Sequence, residues 1–245
     1  MVNYVEASYN VGDVLGEGIF GSVCEATRIS DGQKVAIKFI HKRGEYRTLA
    51  IPGYSEPLIK EVALMVKMSE PPLSPNVIQM IESFEDDEKI AIVMEYPQPC
   101  KTLEHYITEN EMLCEEMVRI LMRQAVQAVI DCIDHGVVHT DIHPGNILIN
   151  TSTLDLKLID FGCGLLFTSD AYDGSQYEGN IEYCPPEVTE MNRFHAISAN
   201  VWSLGLLLLE MVNECLPYPE SEEVLFVNPD LSGGLDLKVP DTTQD

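Results

Sequence analysis

Four short stretches in a fixed order constrain this chain more than anything else in it. They are Gly16-Glu17-Gly18-Ile19-Phe20-Gly21-Ser22-Val23, Val35-Ala36-Ile37-Lys38, His139-Thr140-Asp141 with Asn146, and Asp160-Phe161-Gly162. Each alone is common. In this order they supply a phosphate cradle, a cation, oxygen ligands for a metal ion and an acid that positions a hydroxyl. Phosphoryl transfer needs little covalent help, so positioning and charge stabilisation are the main requirements.

The context of each stretch sharpens this reading. In dinucleotide-binding folds the glycines of G-x-G-x-x-G open a helix. Here they precede Val23 to Ile29, which alternates apolar and polar residues like a strand. The glycines therefore sit at a hairpin tip, where backbone can close over phosphates. Lys38 follows three apolar residues on a predicted strand, and Glu61 on the following predicted helix is its candidate ion partner. Glu56, the competing acid, precedes Pro57 and falls at the helix start. Asp141 is the candidate proton acceptor for a substrate hydroxyl. Asn146 and Asp160 are the candidate metal ligands. Aspartate and asparagine are also ordinary turn residues, so the set carries the reading rather than any one of them.

The N-terminal part predicts antiparallel strands at Tyr9 to Leu15, Ser22 to Ile29, Lys34 to Ile40, Val77 to Phe84 and Lys89 to Glu95, with a tight turn at Asp31-Gly32. A helix over Pro57 to Met68 carries Leu58, Val62, Met65 and Val66 on one side. Pro97-Gln98-Pro99 is a stiff connector and the expected lobe boundary. Beyond it, Glu115 to Asp134 lines up Val118, Leu121, Met122, Ala125, Val129 and Cys132 as one helical stripe. Ile147 to Asn150 and Leu156 to Ile159 predict short strands. Ser198 to Val212 predicts a helix apolar almost all round, central to its lobe. Its longest apolar run, Leu204 to Leu209, is too short to span a bilayer. The expected organisation is an N-lobe over 9–96, a partial C-lobe over 97–219 and a polar tail over 220–245.

Forty acidic against 15 basic residues give a net charge of −25 over 245 residues. That argues against nucleic-acid backbones and anionic membranes as partners and favours basic proteins or peptides. Seven dispersed cysteines, none spaced Cys-x-x-Cys, predict reduced thiols in the cytoplasm or nucleus. The first residues, Met1 to Glu6, do not read as a secretion signal. A monomer is expected.

Two further motifs, Tyr183-Cys184-Pro185-Pro186-Glu187 and Val201-Trp202-Ser203-Leu204-Gly205, are hard to explain outside one family. With them the chain resembles the eukaryotic protein kinases, and within these the PIM serine/threonine kinases. The narrower likeness rests on Glu95-Tyr96-Pro97-Gln98-Pro99, Leu158-Ile159-Asp160-Phe161-Gly162, Pro185-Pro186-Glu187 and Ser198 to Gly205, and covers roughly Tyr9 to Glu223. The resemblance implies an α+β bilobal fold. Its N-lobe is a five-stranded antiparallel sheet plus one helix, and its C-lobe is mainly helical. ATP and Mg2+ lie between the lobes, and activity on serine or threonine in basic peptides is constitutive. It implies nucleotide contacts from Leu15, Gly16, Glu17, Gly18, Ile19, Phe20, Gly21, Ser22, Val23, Ala36, Lys38, Glu95, Leu148 and Asp160. The catalytic set it implies is Asp141, Lys38, Glu61, Asn146 and Asp160. Pro97 has no N–H, so a bound adenine would lose one hydrogen bond there, with the Glu95 carbonyl remaining as acceptor.

The chain departs from that pattern in several places. Thr140 stands where many kinases carry an arginine that reads a phosphate on the activation segment. His143 stands in place of a lysine that offsets charge on the transferring phosphate. Asn180 stands in place of a threonine that bridges that lysine and the aspartate. Gly145 and Thr102 occupy positions where acids are common. Only 28 residues follow Pro217, so the C-lobe is expected to be incomplete and the Ser198–Val212 helix to expose apolar surface. A pseudokinase that binds nucleotide with little transfer stays open on these grounds. A small-molecule phosphotransferase stays open because His139 to Asn146 resembles the loop of that group.

Overall fold

The computed structural model describes residues 4–18, 21–42, 47–110 and 113–213. Ile19, Phe20 and the 220–245 tail lie outside the described residues.

Alternation builds the first lobe. Strands β1 (Tyr9–Gly18), β2 (Gly21–Arg28), β3 (Lys34–His41), β4 (Met80–Glu85) and β5 (Lys89–Glu95) form one antiparallel sheet in the order β1-β2-β3-β5-β4. Along β3 the period of two sends Val35 and Ile37 to the outer face. There they pack with Val5, Tyr9, Ala26, Ala91 and Val93. Ala36 and Lys38 are left facing the cleft. A short helix α1 (Tyr4–Ser8) supplies Val5 to the outer cluster. The Asp31-Gly32 turn forms as expected: Gly32 takes a positive φ of 76°, and Asp31 Oδ1 accepts from Gln33 N–H at 3.0 Å.

Two predicted boundaries move for identifiable reasons. Helix α2 spans Lys60–Met68 rather than starting at Pro57. The preceding Leu58–Ile59 pairs with Thr48–Leu49 as a small ladder, which holds Ile59 extended. Similarly, Val77 does not join β4. It bridges in parallel to Leu158, and Ile78 N–H donates to the Leu158 carbonyl at 3.0 Å. The stretch before β4 thus stitches the two lobes together.

Beyond β5 the chain gives β6 (Cys100–Thr102), α3 (Leu103–Asn110) and α4 (Glu115–Asp134), then β7 (Ile147–Asn150) and β8 (Leu156–Leu158) in a β8-β7-β6 sheet. The α4 bounds match the sequence expectation. Glu115 and Glu116 suit the positive end of its dipole, and Gly136 at φ +71° follows its C-terminus. Val118, Leu121, Ala125 and Cys132 of the predicted stripe are buried, while Met122 and Val129 sit at its edge. Helices α5 (Pro186–Met191) and α6 (Ala196–Asn213) complete the described chain.

Leu204, Leu207 and Met211 of α6 join the main core with α2, α4 and β8. Its 18 residues are long and apolar enough to cross a bilayer by length and composition, longer than the apolar run alone implied. Those core contacts make it a packed helix of the lobe. It is not buried all round: Ile197 and Val201 stay 60% and 62% exposed. Of these two, Val201 falls within the Ser198–Val212 stretch expected to expose apolar surface.

Candidate functional site

The sheet, α2 and the β7–β8 region enclose a cleft of about 560 Å³. Leu15, Gly16, Glu17, Gly18, Gly21, Val23, Ala36, Lys38, Glu61, Glu95, Asn146, Leu148 and Asp160 all line it. Ser22 alternates away from this lining, pairing with Glu17 and Phe39 in the ladder. Ile78, Met94, Tyr96 and Ile159 also line the cleft and were missed. Met94 precedes Glu95 in an apolar run whose alternation marks one cleft-facing position in two, so that signal was available. Ile78 and Ile159 directly follow the bridged pair Val77 and Leu158, a pairing between lobes that no local pattern announces.

At the glycine-rich hairpin, β1 turns into β2 with Gly18 opposite Gly21. A Cβ on Gly16 or Gly18 would meet nothing within 4 Å, so bare backbone faces the cleft there. Gly21 has φ +148°, and a Cβ would lie 1.8 Å from the Phe39 carbonyl oxygen. Only glycine fits where the hairpin folds onto β3.

Lys38 Nζ lies on the cleft floor, 2.8 Å from Glu61 Oε1 and 2.9 Å from Asp160 Oδ1. Burial alone would lower the lysine pKa, but the two carboxylates hold it up at about 12. It is therefore a permanent cation. Asp160 sits at φ +63° where β8 ends, and its Oδ1 also accepts the Gly162 N–H at 3.0 Å. Burial pushes its carboxyl up, yet Lys38 and Gly162 keep it below the usual carboxylate range.

Asp141 gathers the second cluster. Its Oδ2 accepts from Asn146 Nδ2 at 2.8 Å, its Oδ1 accepts from the Asn180 N–H at 2.7 Å, and His143 Nε2 stands 3.7 Å from Oδ2. Burial would raise its pKa. The His143 and Asn180 contacts outweigh that, so Asp141 stays ionised. His143 accepts Gly145 N–H at Nδ1 (3.2 Å) and leans on the Tyr183 ring at 5.7 Å. Asn180 meets Asp141 through its backbone, while its side chain caps the next turn by accepting Glu182 N–H at 3.0 Å. The bridge to Asp141 that the resemblance implies for a threonine here is thus not made by this side chain. His139 is buried, donates from Nε2 to the Ile159 carbonyl at 2.9 Å, and is held neutral by burial. Cys163 reads as a buried thiol, 7% exposed and pushed up to about 12 by burial.

The two metal-ligand candidates fit a hard cation by their chemistry. Both side-chain hydrogen bonds of Asn146 are made through its amide nitrogen, to Asp141 O and Oδ2. Its side-chain carbonyl oxygen is left available to a metal ion, and Asp160 lines the same cleft. Oxygen donors suit Mg2+.

Comparison with known proteins agrees with this architecture. The protein kinase domain family matches residues 9–233. Serine/threonine-protein kinase pim-2 of Danio rerio is 38% identical over 92% of this chain and 74% of its own length. Serine/threonine-protein kinase prk-2 of Caenorhabditis elegans is 33% identical over 95% of this chain. CBL-interacting protein kinase 11 of Oryza sativa subsp. japonica is 33% identical over 86%. The chain spans about half of the nematode relative and 40% of the rice one.

Proposed function

This chain belongs to the protein kinase family, with serine/threonine kinases as its relatives, and we propose that it transfers the γ-phosphoryl group of ATP to serine or threonine hydroxyls in basic proteins. The observation that carries the reading is the placement of Lys38 between Glu61 and Asp160, at 2.8 and 2.9 Å. A scaffold that only held the fold would have no need of a buried three-charge cluster, because such clusters are poor sources of stability.

In this mechanism Lys38 holds and neutralises phosphate oxygens, and Glu61 fixes the direction of its ammonium. The Gly16–Gly18 backbone cradles phosphates. Val23, Ala36 and Leu148 sandwich the base. Asp141, kept ionised, accepts a hydrogen bond from the substrate hydroxyl and takes its proton as the oxygen attacks phosphorus. The bond from phosphorus to the β,γ-bridging oxygen breaks, and the electron pair leaves with ADP. Asn146 and Asp160 would hold magnesium, which supplies neutralisation of charge on the phosphates. His143 adds positive charge beside Asp141 when protonated.

The basic-substrate preference is supported by the charge of −25. It is also supported by Glu104 and Glu182, whose negative charges add to burial in raising the pKa of Glu210 beside the catalytic loop. A monomer in the cytoplasm or nucleus remains the proposal from the dispersed cysteines and charge.

The test is transfer of labelled γ-phosphate to a basic serine peptide, with Asp141→Asn alongside. Transfer that vanishes in the variant is the expected outcome. Thermal stabilisation by ATP and magnesium without transfer would instead favour the pseudokinase.

A further inference from the structure

Outside the cleft, one ion-pair cluster joins three distant stretches of chain. Glu178 lies between Asp160-Phe161-Gly162 and Pro185-Pro186-Glu187, in the activation segment. Its Oε2 is 2.6 Å from Lys60 Nζ, and its Oε1 is 3.0 Å from Arg47 Nη1. Lys60 is the first residue of α2 and directly precedes Glu61. It is only 8% exposed. Lys60 N–H donates to the Arg47 carbonyl at 2.9 Å, so the two cations are set against each other by backbone and clamp one carboxylate.

The other side of Glu178 runs into the catalytic loop. Its carbonyl accepts the Cys163 thiol at 3.1 Å. A Cβ on Gly179 would lie 2.1 Å from the Thr140 carbonyl oxygen, so the segment is pressed onto that loop. Asn180 then donates its N–H to Asp141. Three consecutive residues therefore lead from α2 to Asp141. Thr140 brings no charge to this junction, and its hydroxyl donates to the Cys163 carbonyl at 2.8 Å.

We propose that Glu178 is a positioning residue for phosphoryl transfer. Its carboxylate fastens the activation segment to α2, and so holds Glu61 against Lys38 and Asn180 against Asp141 together. The proposal rests on the kinase reading of the cleft. A carboxylate between two cations forms charge-assisted hydrogen bonds, and a buried lysine left without its partner pays a large desolvation penalty. The anchoring charge is encoded in the sequence, so no modifying enzyme has to supply it. Because Glu178 and Arg47 are part-exposed, the fastening weakens as salt rises.

The test uses the full chain with Glu178→Gln, Lys60→Met and the double variant, read by steady-state kinetics and by hydrogen exchange over 60–68 and 177–183. Glu178→Gln is expected to speed exchange in both segments and lower kcat about tenfold, with the double variant little worse than either single one. Glu178→Asp is expected to recover part of kcat. Exchange over 60–68 that does not change in Glu178→Gln overturns the proposal. So does full additivity of the two single losses. If the unmodified chain transfers no phosphate, the kinase reading falls by itself, and the exchange result alone then decides whether Glu178 fastens the segment.

Discussion

Asn180 donates its backbone N–H to Asp141 Oδ1 at 2.7 Å, across 39 residues of sequence. The contact depends on Gly179, which has no side chain to collide with Thr140. Gly179→Ala is expected to push the segment off the loop and lower kcat by about 10²-fold, since a displacement of an ångström is enough for a loss of that size. Circular dichroism should show the secondary structure retained. Kinetics unchanged from the unmodified chain would show that the Asn180 contact is dispensable.

Lys38→Met removes the only positive partner that the cleft offers Glu61 among the described residues within 4 Å. It leaves a buried carboxylate without compensation. The expected loss of stability is about 3 kcal/mol or more, measured by urea denaturation. Adding Glu61→Gln to the same chain should recover most of it, because the stranded charge is then gone.

Glu210 gives a pH dependence of stability with a definite sign. Burial, then repulsion from Glu104 and Glu182, lifts its pKa from 4.5 to about 7 against the opposing pull of His143. Its carboxyl meets the Tyr183 hydroxyl. The folded state therefore keeps a proton that the unfolded chain has released. This contribution is full below about pH 4.5 and lost as pH rises through about 7. Between pH 5 and about 8 the melting temperature should fall more steeply in the unmodified chain than in Glu210→Gln. Parallel curves would assign the slope to other groups.

His143 carries positive charge only when protonated, whereas a lysine ammonium keeps its charge at neutral pH. His143→Lys is accordingly expected to raise kcat several-fold, with little change in the KM for ATP. A kcat no higher than that of the unmodified chain would mean that the transferring phosphate takes no help from this position.

Much of the frame was legible because it is periodic. The two-residue alternation of β3 puts Ala36 and Lys38 on the cleft face, and the α4 stripe places Val118, Leu121, Ala125 and Cys132 inward. Less legible was the start of α2, because Leu58 and Ile59 suit a helix by spacing but are taken by the Thr48–Leu49 ladder. The lining residues Ile78 and Ile159 were not legible either, since they directly follow a bridged pair between lobes that no local pattern announces.

The sequence by itself determined the chemical inventory: which residues can cradle phosphate, carry charge and accept a proton, and on which kind of element each sits. Local backbone preference and apolar period are properties of neighbours in the chain, so they can be read from neighbours. Only the tertiary structure decided the partners. Lys38 has Glu61 and Asp160, and Glu178 reaches Lys60 across 118 residues. The Asn180 backbone, rather than its side chain, takes Asp141. An ion pair or hydrogen bond depends on distances of about 3 Å between docked elements, and packing sets those distances.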